Sequence, residues 1–330
     1  MIENKKTVFD FWVRQSTAAD AREMEQAIAR VVREDVDWTG FRPFDHCSGR
    51  DEMSRKFWLP LKNSFPDVKR ECFVFLSGEW AGKDWVSGMG VFNGTFANDF
   101  VGIPATGKPA ALRFGEFCAL ENGKIVVDYL LLDMIDLMRQ AGYHVLPQSP
   151  GNEDFFTTSS GPSGVLLGDC HDVESRKSLA LVEGMINGLG KFDGSDFGKM
   201  NQSDFWSPGM HWYGPCGIGS SLNRKEYERN HQAPFLTAFP DRKGGTHKAR
   251  IAEGTFIAST GWPSVVATHA GPYLGAPASN RKIGMRVADW WRRDGDLLVQ
   301  NWVFIDLPDL FMQFGIDLFA ALDEQVRRKN

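Results

Sequence analysis

One pattern is written twice in this chain. Phe65-Pro66-Asp67 returns as Phe239-Pro240-Asp241, an offset of 174 residues. Trp38 and Trp212, Gly40 and Gly214, Arg50 and Arg224, and Pro60 and Pro234 keep that offset. After one deletion it becomes 173, pairing Gly102 with Gly275, Asp133 with Asp306 and Gln140 with Gln313. Register held from Trp38 to Gln140 with a single gap marks an internal duplication, so the chain must fold as two copies of one unit. A length of 330 residues suits two domains of ordinary size.

Within each copy the apolar spacing changes from helical to extended. Ala21, Met24, Ile28 and Val31 share one helical stripe, as do Leu179, Val182, Ile186 and Leu189, with Thr17 and Asp172 as capping candidates. A second helix carries Met53, Phe57, Leu61 and Phe65, answered by Tyr227, His231, Phe235 and Phe239. Pro60 and Pro234 must kink or restart it. Beyond each Phe-Pro-Asp, residues 71–76 and 247–251 open runs of strands punctuated by Gly78, Gly94, Gly254 and Gly271. Three further strands follow in each copy, the last ending at Asp133 or Asp306. Helices followed by an antiparallel sheet predict an α+β fold with the helices on one face. Residues 148–164, rich in Ser, Thr, Gly and Pro, read as a linker between a first domain (1–147) and a second (165–330). Residues 190–207 read as an irregular loop or lid.

Composition removes several classes of function. A net charge near −5, with acidic and basic residues interspersed, gives no footprint for nucleic acid. No stretch approaches the roughly 20 apolar residues that span a bilayer, and the first ten residues lack the apolar core of a secretory signal. Five cysteines at unrelated spacings argue for buried thiols in a cytoplasmic protein rather than a disulfide framework.

The chemistry is expected where the copies differ. Asp306 ends an apolar strand beside Phe304 and Ile305, with Trp302 near it, and such surroundings disfavour a charged carboxylate. A raised pKa would fit Asp306 for general acid or base work. It is equally placed to cap a helix starting at Leu307, as Asp133 would cap its own. His269 falls opposite Phe96, His211 opposite Asp37 and His231 opposite Phe57, so the second copy alone sets histidines near its aspartate. Asp306 and His269 are the expected catalytic pair. His211, His231, Tyr213, Trp302 and Phe304 are the expected substrate contacts, with Asp133 the formal counterpart in the first copy. No metal motif is found: Cys170-His171 has no second pair at ligand spacing, and His-Glu-x-x-His is absent. Gly214, Gly217 and Gly219 make no phosphate cradle, and Ser159–Gly164 lacks the order of a nucleophile elbow. Cofactor-free proton transfer remains.

The string Gly-Ile-Pro-Ala-Thr-Gly-Lys-Pro-Ala (102–110), together with Asp followed by Gln at +7 and Gly at +9, resembles the SnoaL-like polyketide cyclase family of the nuclear-transport-factor-2-like (NTF2-like) superfamily. The first copy keeps that loop but has Phe96 where the family carries a His; the second keeps Thr268-His269 and Gly275 but loses the Thr-Gly-Lys. The resemblance implies two tandem cones, each a curved antiparallel sheet wrapped against helices around a pocket. It also implies an aspartate acid/base for intramolecular aldol closure, without metal or cofactor, which would map to Asp306. The fold hosts cyclases, isomerases, dehydratases and hydratases as well as proteins that only bind, so a scaffold or ligand-binding role is the alternative. A small carbonyl- or hydroxyl-bearing molecule is the expected partner. The two copies would form an intrachain pseudo-dimer, with room for a further homodimer.

Overall fold

A computed structural model describes residues 1–168, 172–192 and 197–329; Cys170 and His171 lie outside these. The chain divides into two compact units. Unit 1 holds Met1–Val145, Ser163–Gly168 and Asp317–Asn330, and unit 2 holds Leu146–Pro162 and Asp169–Ile316. Residues 148–162 fall within unit 2 and residues 163–164 within unit 1. Among the described residues no helix is long and apolar enough to cross a membrane.

Unit 1 begins with α1 (Ile2–Thr17) and α2 (Ala21–Val31), followed by β1 (Val32–Gly40) and β2 (His46–Ser48). Asp20 caps α2 by accepting from the Glu23 amide at 2.9 Å, while Thr17 closes α1 with its hydroxyl on the Val13 carbonyl. The next helix is compound: α3 (Arg50–Met53), a π turn (Ser54–Trp58) and α4 (Leu59–Ser64). Pro60 sits at the start of α4, so the missing amide is absorbed by widening the preceding turn. Long strands β3 (Lys69–Trp80), β4 (Lys83–Thr95), β5 (Pro109–Glu121) and β6 (Lys124–Leu132) lead to α5 (Met134–Gln140), and β7 (Gly164–Val165) adds a short edge. The sheet order is β2-β1-β6-β5-β4-β3-β7.

Unit 2 repeats this plan with α6 (Asp172–Leu189), β8 (Trp206–Tyr213), α7 (Arg224–Tyr227), a π turn (Glu228–Gln232) and α8 (Ala233–Ala238). Then come β9 (Lys243–Gly244), β10 (His247–Glu253), β11 (Phe256–Thr268), β12 (Lys282–Asp294), β13 (Leu297–Ile305) and α9 (Leu307–Phe314). The order is β10-β11-β12-β13-β8, with β9 on β11. The last helix, α10 (Leu318–Lys329), belongs to unit 1, where Gln325 bonds both the amide and the carbonyl of His144.

Three expectations need correction. Neither sheet closes into a cone; each is an open layer with two edges. Neither is purely antiparallel, because β1 and β8 run parallel to β6 and β13. The stripe over 179–189 lies on one long α6, and two short 3₁₀ turns (Phe197–Met200 and Gln202–Asp204) follow where unit 1 has α2.

The repeated residues are staples. The aspartate of each Phe-Pro-Asp grips a strand end: Asp67 accepts from the Thr95 amide and hydroxyl at 2.7 and 2.8 Å, and Asp241 from those of Thr268 at 2.7 Å each. Asp133 and Asp306 cap α5 and α9, accepting from the Asp136 and Asp309 amides. Each is also paired with an arginine on the neighbouring strand, Arg113 at 3.4 Å and Arg286 at 3.2 Å, which reaches the second acid of the turn as well. Gln140 and Gln313 close the unit by bonding both backbone groups of Ala111 and Gly284. Gly142 and Gly315 supply the left-handed turns after these helices, at φ of 83° and 95°.

Because each Asp joins a cap to an ion pair, Asp133→Ala and Asp306→Ala should each lower unfolding free energy by about 2 kcal/mol. Urea denaturation measures this, and a loss confined to one of the two would contradict equivalent roles.

Candidate functional site

Unit 2 encloses a cavity of about 470 Å³ between its sheet and its helices. On β12 the lining residues are Met285, Val287, Asp289 and Trp291; on β13 they are Asn301, Val303 and Ile305. The alternation is that of a strand presenting one face. The roof is Met185 and Ile186 from α6 and Tyr227, His231, Gln232 and Phe235 from the compound helix. Arg242, Lys243 and Gly244 stand at the rim, where Lys243 and Gly244 are exposed.

Asp289 is the acid inside. Its Oδ1 accepts from the Asn301 amide at 3.3 Å, and that amide is held by the Trp290 carbonyl at 3.1 Å. Burial pushes the Asp289 carboxyl up to about 7, outweighing the Asn301 hydrogen bond and the charge of Arg250. His231 stacks on Trp212 with centroids 4.4 Å apart, and burial brings its pKa down to about 3. Among the described residues its Nδ1 has no hydrogen-bond partner, nor has the Nδ1 of His247, whose pKa burial also lowers. Burial, reinforced by the Asp289 charge, pushes the Tyr227 phenol up and keeps it protonated. The result is an aromatic chamber with a carboxyl poised near neutrality, a phenol donor and imidazole nitrogens left for a guest.

Unit 1 shows how the same frame looks when filled. Arg70 pairs with Phe92 across β3 and β4, and its guanidinium lies over Trp12, Trp58, Phe92 and Phe114 at 4.2 to 5.2 Å from each ring centre. It is bonded to the buried Glu116 at 2.5 Å. The residue in the place of Arg70 in unit 2 is Gly244, which pairs with Val265 as Arg70 pairs with Phe92. At the same offsets of 174 and 173, Trp58 is replaced by Gln232, Phe92 by Val265, Phe114 by Val287 and Glu116 by Asp289. One plug and three rings have been exchanged for smaller groups, and the volume they leave is the cavity.

Of the catalytic and substrate-contact residues expected from the sequence, His231 lines this space. Asp306 caps α9 and pairs with Arg286 as described. His269 replaces Phe96 in a stack of core rings: Phe65 lies 4.8 Å from Phe96, and Phe239 lies 5.5 Å from His269. The imidazole also stacks on Phe314 at 3.7 Å, and its Nδ1 meets the Ser279 hydroxyl at 3.1 Å. Trp302, Phe304, Tyr213 and His211 belong to the opposite face of the sheet, beneath residues 155–160. There Trp302 Nε1 donates to the Thr157 carbonyl, Phe156 meets Phe304, and the Tyr213 hydroxyl joins Gln300 and His211. Asp289 was missed, yet a trace of it is readable. An acid stands mid-strand among apolar neighbours in both copies, as Glu116 and Asp289.

A model of the SnoaL-like polyketide cyclase family matches residues 12–141, within the unit whose interior is filled. No curated protein matches the chain. Similar solved structures include AclR, a proposed hydroxylase from Streptomyces galilaeus, at 21% identity over 43% of this chain and 82% of that one, TM-score 0.34. IdmH, a proposed polyketide cyclase from Streptomyces antibioticus, is 18% identical over 42% and 99%, TM-score 0.35. A proposed SnoaL-like cyclase from Jannaschia sp. CCS1 is 13% identical over 44% and 97%, TM-score 0.38. The family match thus covers less than half of the chain and lies within unit 1.

The His231 shift has a signed consequence. Between pH 6.5 and 3 the unfolded chain binds a proton there that the native state refuses, so stability falls as the pH drops through this window. His231→Phe, the residue of unit 1, should remove on the order of 2 kcal/mol of that acid loss. Thermal melts at pH 7 and pH 4 measure it, and an unchanged difference between the two would contradict the assignment.

Proposed function

We propose that unit 2 is a cofactor-free acid/base catalyst acting on a small carbonyl-bearing organic molecule, with Asp289 as the base. The observation that carries this is the coincidence of an open cavity with a carboxyl of pKa near 7 inside it. Ionised Asp289 takes a proton from the carbon next to a carbonyl, and the electron pair of that C–H bond becomes an enolate. The developing oxygen charge accepts hydrogen bonds from the Tyr227 phenol and from His231 in its Nδ1–H tautomer. Return of the proton to another carbon is isomerisation, whereas attack of the enolate carbon on a second carbonyl of the same molecule closes a ring, the new alkoxide oxygen taking the proton back from Asp289. Asn301 holds the carboxylate in place, and the rings of Trp212, Trp291 and Phe235 exclude water. The SnoaL-like match, which lies in unit 1, supports this class of reaction only through the repeat, and Asp289 here takes the role that the resemblance mapped to Asp306.

The alternative, a binding protein without turnover, keeps the cavity and drops the proton transfer. Exchange of the α-protons of 2-tetralone in D₂O, followed by NMR, separates the two. Wild-type protein should accelerate exchange, with a rate that rises through pH 7, and Asp289→Asn should lower it about 100-fold or more. Gly244→Arg should abolish it in a folded protein, because a Cβ at Gly244 meets nothing within 4 Å and the longer side chain can plug the chamber as Arg70 does. Exchange that survives Asp289→Asn would remove the base from this account.

A further inference from the structure

The rim of the cavity carries a charge that unit 1 lacks. Arg242 stands where unit 1 has the buried Val68, at the offset of 174. Its guanidinium donates to the Leu189 carbonyl at 3.0 Å and lies 5.1 Å from the centre of the Phe192 ring. Among the described residues no carboxylate pairs with it, although it is half-buried and lines the cavity. Lys243 beside it is exposed. A partly desolvated guanidinium that the described residues leave without a carboxylate favours an anion beside it.

The charges inside fix how such an anion would lie. Asp289 is the acid of the chamber, and the nearby Arg250 is engaged by the Ser259 hydroxyl and by Glu183 at 3.9 Å. An anionic group is repelled from the Asp289 end and attracted to the Arg242 end. Between them the walls are rings and aliphatic chains: Trp206, Trp212, Phe235, Met285 and Val287. A guest that satisfies both ends has an acid group at the mouth and a flat apolar body within.

We infer that the ligand of this cavity is an aromatic or polycyclic carboxylate, its acid group held at the rim by Arg242 and its opposite end presented to Asp289. This rests on the proposed reaction for the inner end alone; the rim argument stands on charge and geometry. Arg242 is then a residue of substrate selection, and Lys243 adds attraction at longer range.

Tryptophan quenching, from Trp206, Trp212 and Trp291 in the walls, reports binding of two isosteric probes, 2-naphthoate and the neutral 2-naphthamide. Wild-type protein at pH 7 should bind the carboxylate about tenfold more tightly, and that preference should shrink as salt is raised. Arg242→Gln should bring the two probes level without weakening the amide, and Gly244→Arg should lose both. Equal affinities in the wild type, or a preference that survives Arg242→Gln, would overturn the inference while leaving 2-tetralone exchange intact. Binding of both probes to Gly244→Arg would place them outside the cavity and overturn it as well. Failure of either probe to bind at all, with no exchange, would bring down the proposed reaction too.

Discussion

An acid on the middle of a sheet, facing helices, is the constraint around which both units are arranged. A carboxylate there must be given a counter-charge, be protonated, or be left room for solvent and guests. Unit 1 takes the first course for Glu116, whose partner Arg70 is enclosed by four aromatic rings. The neighbouring Asp128 takes the second, pushed well above the usual carboxylate range by burial and by the Glu116 charge. Unit 2 takes the third. Gly244 leaves the place of the plug empty, Asn301 replaces Asp128, and Asp289 faces open space.

This explains why the repeated residues and the proposed site separate so cleanly. Residues preserved in both copies hold strand ends and helix ends: Asp67 and Asp241 on threonines, Asp133 and Asp306 on helix amides and arginines, Gln140 and Gln313 on strand backbone. A scaffold built twice needs the same staples twice. Chemistry needs volume and an uncommitted charge, and these arise where the copies part: Arg70 against Gly244, Phe57 against His231, Val68 against Arg242.

The duplication, the run of strands after each Phe-Pro-Asp, and the proline-broken second helix were legible, because each leaves a periodic or conformational trace in the residues themselves. The parity of the last strand was not. On β13, Trp302 and Phe304 are as apolar as Val303 and Ile305, since both faces of that strand are covered, and alternation cannot say which face meets the cavity. Strands β1 and β8 escaped notice because charged residues (33–35) break the apolar pattern of one and Ser207-Pro208-Gly209 that of the other, and both are defined by pairing with distant partners. The setting of Asp306 has a local explanation. Its apolar neighbours imply burial, while the groups that satisfy it, the Asp309 amide and Arg286, come from its own turn and from the next strand. Arg113 and Arg286 stand at the same offset as their aspartates, and that pairing was the readable sign of a structural role.

The central claim is that the interior acid of unit 2 is uncompensated and faces space a guest can fill. Carbon-13 NMR of the side-chain carboxyls, with Asp289→Asn assigning the resonance, tests it most directly. The Asp289 carboxyl should titrate with a midpoint near 7. A midpoint in the ordinary carboxylate range, about 4, would show an acid already solvated or paired, and would contradict it.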